Sequence, residues 1–260
     1  MAQKLHFHEK LKKGYGWRQP KWPDHRHPKF QIVHTPDSLP PSIDMRNQCP
    51  PVYDQGQLGS CTANSIAGLA EFLMMKEGHT PFVPSRLFIY YNERVLEGDT
   101  ADDTGASISD SIQVVSANGC PNEALWWYNT IKYAVKPNRK VYADGLKHLV
   151  SNYVQVGQDL VSLRSCLASG YPISIGFTVY ESFESDTVAS TGIVPMPGNN
   201  EQILGGHAVL VVGYNDATQY FIVRNSWGTG WGQAGYFEMP YAYLVNNNLS
   251  SDFWSANNVS

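Results

Sequence analysis

The chain of 260 residues is poor in cysteine, in charged residues and in long apolar runs. Four cysteines without a CxxC pair are too few for a disulfide scaffold and show no zinc-site pattern. No apolar stretch approaches the roughly 18 to 20 residues that cross a bilayer. A formal charge of −4 argues against nucleic-acid binding, which usually needs a basic surface. These absences predict a soluble globular protein with neither a membrane nor a nucleic acid as partner.

The N-terminal residues show no recognisable targeting signal. The opening residues MAQKLHFHEKLKK lack the apolar core of a secretory signal. If a leader has been removed, a secreted or lysosome-like compartment is expected, and otherwise the cytoplasm. With 42% hydrophobic residues the chain can bury one generous core or two modest ones, and we expect a monomer.

The residue pattern divides the chain into three zones. Residues 1–38 hold eight lysines and arginines against three acidic residues, a formal charge of +5, so the remaining 222 residues carry −9. This stretch is rich in proline and aromatic residues, which favours an extended, docked segment over a packed domain. Residues 39–150 are predicted to be mainly helical and residues 151–260 β-rich, so the expected fold class is α+β. Helices are predicted over 61–77, 85–96, 107–118 and 140–150.

The sequence QGQLGSC, at residues 55–61, directly precedes the first predicted helix. Ser60 suits its N-cap, which places Cys61 at the first helical position, where backbone N–H groups and the helix dipole favour a thiolate. Two glycines let the loop approach closely, so the amide of Gln55 lies within reach of whatever the sulfur attacks. The alternative is a small buried cysteine with a purely structural role.

A nucleophilic cysteine needs a base, and among the eight histidines His207 has the most informative setting. It opens the apolar run HAVLVVGY, and the next predicted strand ends in RNSWG. With the turn centred near Asp216, an antiparallel hairpin pairs His207 directly with Asn225. The amide oxygen of Asn225 would then orient the imidazole towards the cysteine. The alternative is a structural His–Asn pair.

Three segments together resemble the active site of papain-like cysteine proteases: DQGQLGSCTA, GGHAVLVVGY and RNSWGTGWGQAGYF, in the order of the family and at compatible spacing. The resemblance covers about residues 39–243 and is closest to the prokaryotic and viral, xylellain-like branch. It implies a two-domain fold, a helical domain plus an antiparallel β-barrel-like domain with the active-site cleft between them. It also implies a nucleophile Cys61, a general base and acid His207, an orienting Asn225, an oxyanion donor Gln55 and a shielding Trp227.

The same resemblance assigns backbone contacts with the substrate. Gly105 and Ala106 match a glycine pair whose backbone hydrogen-bonds the extended substrate. Gly206, which joins Trp227 among the predicted substrate-binding residues, stands where relatives often carry Asp or Asn, so a polar neighbour that tunes the pH profile is missing. Leu58 stands where many relatives have a disulfide-bonded cysteine, so that bridge is absent.

The implied reaction is hydrolysis of a peptide or protein substrate through an acyl-enzyme, with no metal or organic cofactor. Two alternatives remain open. A thiol-dependent acyltransferase or amidase could use the same Cys and His chemistry, and a catalytically silent peptide-binding relative would keep the fold and cleft. The histidine pairs HFH and HRH, at residues 6–8 and 25–27, could ligate a metal, but no acidic or thiol partner accompanies them.

The basic N-terminal zone is too short for an independently folded propeptide. We expect part of residues 1–38 to lie in or over the cleft between Cys61 and His207 and to keep the enzyme latent. Its extended sequence would dock four aromatic side chains in apolar pockets: Tyr15, Trp17, Trp22 and Phe30. A solvated tail, or a strap that never nears Cys61, is the alternative.

The remaining cysteines support weaker predictions. Cys49 and Cys120 each precede a proline and could form a bridge, which would favour an oxidising compartment. Cys166 lies on an apolar helix face and is expected to be a buried free thiol.

Overall fold

A computed structural model describes residues 14–20, 27–33 and 36–260. Within these ranges the α-helices are α1 (Cys61–Lys76), α2 (Arg86–Glu97), α3 (Ile108–Ala117), α4 (Arg139–Gly145), α5 (Leu160–Ala168), α6 (Asp186–Thr191) and α7 (Tyr241–Leu244). Short 3-10 helices lie at Pro36–Ser38, Arg46–Gln48, Glu123–Leu125, Thr130–Lys132 and Glu181–Glu184.

The helical half follows the apolar periodicity of the sequence. The first three predicted helices are confirmed as α1, α2 and α3. The fourth prediction, over 140–150, is wrong at its end: α4 stops at Gly145, and Val150 instead pairs with Val259 in a two-stranded sheet. Every residue from Cys61 to Met74 is buried, so α1 runs through the core and presents no solvent face over that length.

The β-strands are β1 (Ser42–Asp44), β2 (Val150–Ser151), β3 (Val154–Gln155), β4 (Ile173–Tyr180), β5 (Ile203–Asn215), β6 (Tyr220–Arg224), β7 (Tyr236–Pro240), β8 (Ser250–Ser255) and β9 (Asn258–Val259). The main sheet has the order β3-β8-β4-β5-β6-β7, with β1 added beside β5, and β2 pairs with β9. All pairings between these strands are antiparallel. The α+β class is therefore confirmed.

The hairpin of β5 and β6 has a different register from the predicted one. Asn215 pairs with Tyr220 across a loop of four residues, so the turn is centred beyond Asp216. The predicted backbone pairing of His207 with Asn225 is therefore wrong, because the loop extends further along the chain than the sequence suggested. The two side chains still meet, as described below, through the path of the chain after β6.

Helix α1 packs against β4 and β5, and this packing positions the candidate site. At the contact with β4, Ser65 Oγ lies 2.7 Å from Ser174 Oγ, so two buried hydroxyls satisfy each other between helix and sheet. The first turn of α1 lies beside the end of β5 that carries His207. The nucleophile candidate and the base candidate therefore come from elements that share one buried interface.

All four cysteines lie in the described part of the chain, and all are free. The bridge between Cys49 and Cys120 is therefore not formed; Cys49 Sγ instead donates to the carbonyl oxygen of Met45 at 3.3 Å. Cys166 is fully buried in α5, as predicted.

Two further predictions concern membranes and metals. None of the helices in the described ranges combines the length and apolar character needed to span a membrane. The described residues also bring no three potential metal ligands together. His27 packs edge-on against Trp254, with ring centroids 4.9 Å apart.

Several residues of the earlier predictions lie outside the described residues: His6, His8, Trp22, His25 and His34.

Candidate active site

Cys61 begins α1, and Ser60 occupies the N-cap position, as predicted. The Ser60 side chain makes no capping hydrogen bond; its Oγ lies 2.5 Å from the hydroxyl of Tyr128. Asn64 Nδ2 donates to the Ser60 carbonyl at 2.9 Å and to its Oγ at 3.1 Å. Side chains of the helical half therefore fix the entry to α1, in place of the usual cap.

Burial controls the protonation of the Cys61 thiol in this structure. The side chain is fully buried, and burial raises its pKa to about 11. Backbone N–H groups of Ala208 and Gly16 act in the opposite direction, and the buried carboxylate of Glu93 adds to the rise. With the thiol covered, the thiolate expected at a helix N-terminus is disfavoured. The sulfur thus contacts the backbone of Ala208, the residue that directly follows His207 in β5.

His207, Asn225 and Trp227 form one buried group. His207 Nε2 lies 2.8 Å from Asn225 Oδ1, so the imidazole and the amide oxygen are hydrogen-bonded. Trp227 stacks on the imidazole with ring centroids 4.9 Å apart and an interplanar angle of 28°. Phe177 of β4 also contacts the imidazole edge-on, with ring centroids 5.7 Å apart. The aromatic rings exclude water around the His–Asn hydrogen bond and limit rotation of the imidazole.

Gln55 is fully buried in the loop before α1, and its amide has a fixed orientation. Ser226 Oγ donates to Gln55 Oε1 at 2.6 Å, which leaves Nε2 to donate elsewhere. Nε2 donates to two backbone carbonyls, those of Leu58 and Gly14, both at 2.9 Å. Ser226 was missed by the sequence reasoning, although it directly follows Asn225 in the run RNSWG.

The predicted substrate-binding positions do contact an extended backbone, that of residues 16–18 of the same chain. Ala106 N donates to the Gly16 carbonyl at 2.8 Å, and Arg18 N donates to the Ala106 carbonyl at 2.9 Å. Trp17 N donates to the Gly206 carbonyl at 3.0 Å. Trp17 and Ala106 therefore form a parallel β-bridge. Gly105 takes part through its carbonyl, which accepts from the Arg18 guanidinium at 3.3 Å.

Residues 39–252 match the family model described as Papain family cysteine protease. The chain belongs to this family. An uncharacterized peptidase C1-like protein of Acanthamoeba polyphaga mimivirus is 44% identical over 216 residues, which make up 80% of this chain and 70% of that protein. Cysteine proteinase 3 of Entamoeba histolytica is 27% identical over 205 residues, 77% of this chain and 62% of that protein.

Solved structures of papain-family proteases share the fold. Xylellain, a cysteine protease from Xylella fastidiosa, superposes with a TM-score of 0.87 at 39% identity, covering 96% of this chain and 97% of that one. The digestive procathepsin L 3 of Tenebrio molitor has the same fold, with a TM-score of 0.72 at 22% identity and coverage of 95% and 77%. The predicted papain-like fold, and the likeness to the xylellain-like branch, are confirmed.

In this papain-family chain the segment before the matched region makes further contacts with the site. The Tyr15 ring meets the imidazole of His207 edge-on at 6.1 Å and the ring of Trp227 at 6.2 Å. The Tyr15 hydroxyl donates to the carboxylate of Glu184, and Arg18 forms an ion pair with Glu97. Residues 14–18 therefore contact both sides of the candidate site.

A second part of the segment lies along the sheet. Phe30 N donates to the Gln155 carbonyl at 2.9 Å, and Gln155 N donates to the Pro28 carbonyl at 2.8 Å. These bonds add residues 28–30 beside β3, at the edge of the main sheet. The segment is therefore held at two places, one at the candidate site and one on β3.

Proposed function

We propose that this papain-family chain hydrolyses peptide bonds through a Cys61–His207–Asn225 triad and an acyl-enzyme intermediate, and that its N-terminal segment keeps it latent. The observation that carries the proposal is the amide of Gln55, which donates to the peptide carbonyl of Gly14 at 2.9 Å. A peptide carbonyl thus already lies against the group that would stabilise the oxyanion of a substrate.

The reaction follows from the positions of these groups. His207 takes the thiol proton of Cys61, Sγ forms a bond to the carbonyl carbon of the scissile peptide, and the carbonyl oxygen becomes an oxyanion stabilised by Gln55 Nε2 and the Cys61 N–H. His207 then protonates the leaving amine as the C–N bond breaks. A water molecule, deprotonated by His207, attacks the acyl-enzyme and releases the acid product and the thiol.

Asn225 would act by orientation. Because it engages His207 Nε2, the other ring nitrogen, Nδ1, is the one that would exchange protons with Cys61. The stacking of Trp227 on the imidazole supports this arrangement, since it opposes a flip of the ring. During the reaction the His207 imidazole would then gain and lose a proton only at Nδ1, while Nε2 stays hydrogen-bonded to Asn225.

Latency is supported by what the segment covers. Gly14 engages the Gln55 amide, and residues 16–18 engage Ala106 and Gly206, the backbone that the resemblance assigns to the substrate. A substrate could not make these bonds while the segment is docked. The charge of +5 on residues 1–38 against −9 on the rest adds a long-range attraction.

Removal of the segment is expected to speed modification of Cys61 at least tenfold. The rates of alkylation by the epoxide E-64 would be compared between the full chain and a chain that begins at Leu39, both checked for folding by thermal unfolding. Because burial raises the pKa of the Cys61 thiol to about 11, the pH midpoint of alkylation should fall once the segment is gone. High salt should speed labelling of the full chain severalfold, since it screens the attraction. Equal rates in the two folded chains would contradict latency.

The same samples separate the two alternatives. Turnover of dipeptidyl fluorogenic substrates by the chain that begins at Leu39 would support the peptidase function. Labelling of Cys61 without turnover would favour a thiol-dependent acyltransferase or amidase. Absence of labelling in the shortened, folded chain would favour a silent peptide-binding relative.

Replacement of Ser226 by alanine is expected to lower kcat about fivefold, because the loss of a hydrogen bond worth about 1 kcal/mol frees the Gln55 amide to rotate. Replacement of Gln55 itself should cost about 10² to 10³ in kcat, the range for an oxyanion donor. The measurement is kcat and KM on one fluorogenic peptide with chains that begin at Leu39, and the exposed Ser190→Ala variant is the control. A Ser226→Ala enzyme with unchanged kcat would show that Gln55 is held without it.

A further inference from the structure

The loop of residues 55–60 brings together the two donors of the proposed oxyanion site. Gln55 begins the loop and supplies Nε2, and the Cys61 N–H belongs to the peptide bond that follows Ser60 at its end. The β half holds only the first end in this way: Gln55 N donates to the Ser226 carbonyl at 2.9 Å, and its side chain binds Ser226 Oγ. The separation of the two donors therefore depends on what joins the two ends of the loop.

The hydroxyl of Tyr128 contacts both ends of this loop. It donates to the Gln55 carbonyl at 3.0 Å and lies 2.5 Å from Ser60 Oγ. Burial raises the pKa of Tyr128, so the hydroxyl keeps the proton that it donates. One oxygen atom thus links the first residue of the loop to the last.

Arg86 fixes the direction of the hydrogen bonds that reach Tyr128. A guanidinium has only donors, and Arg86 Nη1 donates to Asn64 Oδ1 at 3.2 Å. The opposite end of that amide is then Nδ2, which donates to Ser60 Oγ at 3.1 Å. Because Tyr128 directs its single proton to the Gln55 carbonyl, Ser60 Oγ donates to the Tyr128 oxygen. The donors therefore run in one direction from Arg86 to Gln55, and each bond strengthens the next.

The same guanidinium holds the aromatic ring of Tyr128. Arg86 Cζ lies 4.0 Å from the ring centroid, a cation–π contact. Arg86 is buried, and two hydrogen bonds to the Glu123 carboxylate, at 2.8 and 2.9 Å, fix the plane of its guanidinium. Arg86 Nη1 also donates to the carbonyl of Asp54, the residue before the loop, at 3.3 Å. The helical half thus sets the position of the Tyr128 hydroxyl.

We propose that Tyr128 is a positioning residue of the oxyanion site, whose hydroxyl fixes the separation between Gln55 Nε2 and the Cys61 N–H. It acts through the loop and not on the oxyanion itself. Without the hydroxyl, Gln55 keeps its bonds to Ser226, but the two ends of the loop can move relative to each other, and the two donors no longer fit one oxygen atom. The proposal rests on the peptidase function proposed above.

The test uses the full chain with Trp17→Gly, which removes a buried indole bound to Asp252 and so loosens the N-terminal segment. Tyr128→Phe in this chain deletes only the hydroxyl. We expect kcat on one fluorogenic dipeptide to fall at least about fivefold with KM unchanged, the pattern of an interaction that matters only in the transition state. The inhibition constant of a peptide aldehyde, whose adduct with Cys61 resembles the tetrahedral intermediate, should rise by the same factor.

Alkylation of Cys61 by iodoacetamide separates positioning from damage, because this displacement forms no oxyanion. Its rate should be unchanged in Tyr128→Phe. A fall in the alkylation rate as large as the fall in kcat would mean that the variant disturbs the whole site, and would overturn the role assigned to Tyr128. An unchanged kcat together with an unchanged inhibition constant would overturn it as well.

Tyr133→Phe is the matched control. The Tyr133 hydroxyl also donates to a backbone carbonyl at 3.0 Å, that of Ala101, and the guanidinium of Arg94 lies over its ring. This variant should leave kcat and the inhibition constant of the aldehyde unchanged. A loss equal to that of Tyr128→Phe would show that any such hydroxyl of the helical half matters equally, against the proposal.

Repeating Tyr128→Phe in a Gln55→Ala chain decides how the loss arises. The separation of two donors matters only while both are present, so the further loss in kcat should be less than about twofold. A general support of the loop would act through the Gln55 carbonyl, which Gln55→Ala retains. An undiminished further loss would therefore contradict the proposal.

The aldehyde also separates this proposal from the peptidase function. If the Trp17→Gly chain turns over no peptide but binds the aldehyde, and Tyr128→Phe binds it at least about fivefold more weakly, the peptidase function is contradicted and the positioning role is supported. If the Trp17→Gly chain hydrolyses the peptide and Tyr128→Phe hydrolyses it equally well, the positioning role is contradicted and the peptidase function stands.

Discussion

Replacing Cys61 or His207 by alanine is expected to abolish measurable peptide hydrolysis, whereas Asn225→Ala should leave a detectable fraction. In a serine-protease triad, loss of the nucleophile or base costs on the order of 10⁶ in kcat and loss of the orienting residue about 10⁴. The smaller loss fits a residue that holds His207 through one hydrogen bond of 2.8 Å and takes no part in bond making. The measurement is kcat on one fluorogenic peptide after removal of the N-terminal segment.

Cys166→Ala is the control for the loss of a buried thiol, because Cys166 is equally buried but lies in α5, where its Sγ donates to the Tyr171 carbonyl. It should keep full activity if the chain folds. Equal losses for all three site variants would contradict the role assigned to Asn225. Normal turnover by His207→Ala would contradict the triad as a whole.

Gly16→Ala in the full chain is expected to speed alkylation of Cys61 on the order of a hundredfold without any truncation. A Cβ at Gly16 would lie 1.6 Å from the carbonyl oxygen of Gly59, which belongs to the backbone of the loop before Cys61. Overpacking commonly costs about 1 to 3 kcal/mol, and more where backbone cannot move, so the segment should undock. The rate of labelling by E-64 reports the opening.

The neighbouring Gln19→Ala is the matched control, because Gln19 is exposed and belongs to the same described stretch. It should label as slowly as the unaltered chain. A slow rate in Gly16→Ala, with unchanged thermal unfolding, would mean that residues 14–18 can shift while still covering Cys61. That result would show that the close contact between Gly16 and Gly59 is not needed to keep Cys61 covered.

Much of the fold could be predicted because its signals are local. Apolar periodicity marks α1, α2 and α3, and Ser85 and Ser107 cap the latter two with side-chain hydrogen bonds. The strands β4 to β7 are β-branched and aromatic runs between turn residues. The position of Cys61 at the start of α1 is also a local property, since it depends on one loop and one helix end.

Other features depend on contacts that no local pattern encodes. The length of the loop after Asn215 set the hairpin register, and the sequence did not reveal it. Strand β8 was not predicted because its sequence SSDFWS is short and four of its six residues are polar. Its Asp252 has φ +65, an uncommon value for a residue with a side chain, and accepts from two distant donors, Trp17 and Ile108, and from the nearby Trp254. Ser226 acquires its role only when the loop of Gln55 folds over it.

The enclosure of Cys61 also has a consequence for its lifetime. Oxidants such as peroxides react with thiolates that solvent can reach, and sulfinic and sulfonic products would end activity irreversibly. In the docked form the sulfur is fully buried and its pKa is raised to about 11, so it offers neither access nor charge. In the proposed latent form the segment would therefore protect the Cys61 thiol from oxidation, and oxidants would reach the sulfur only after the segment has left the site.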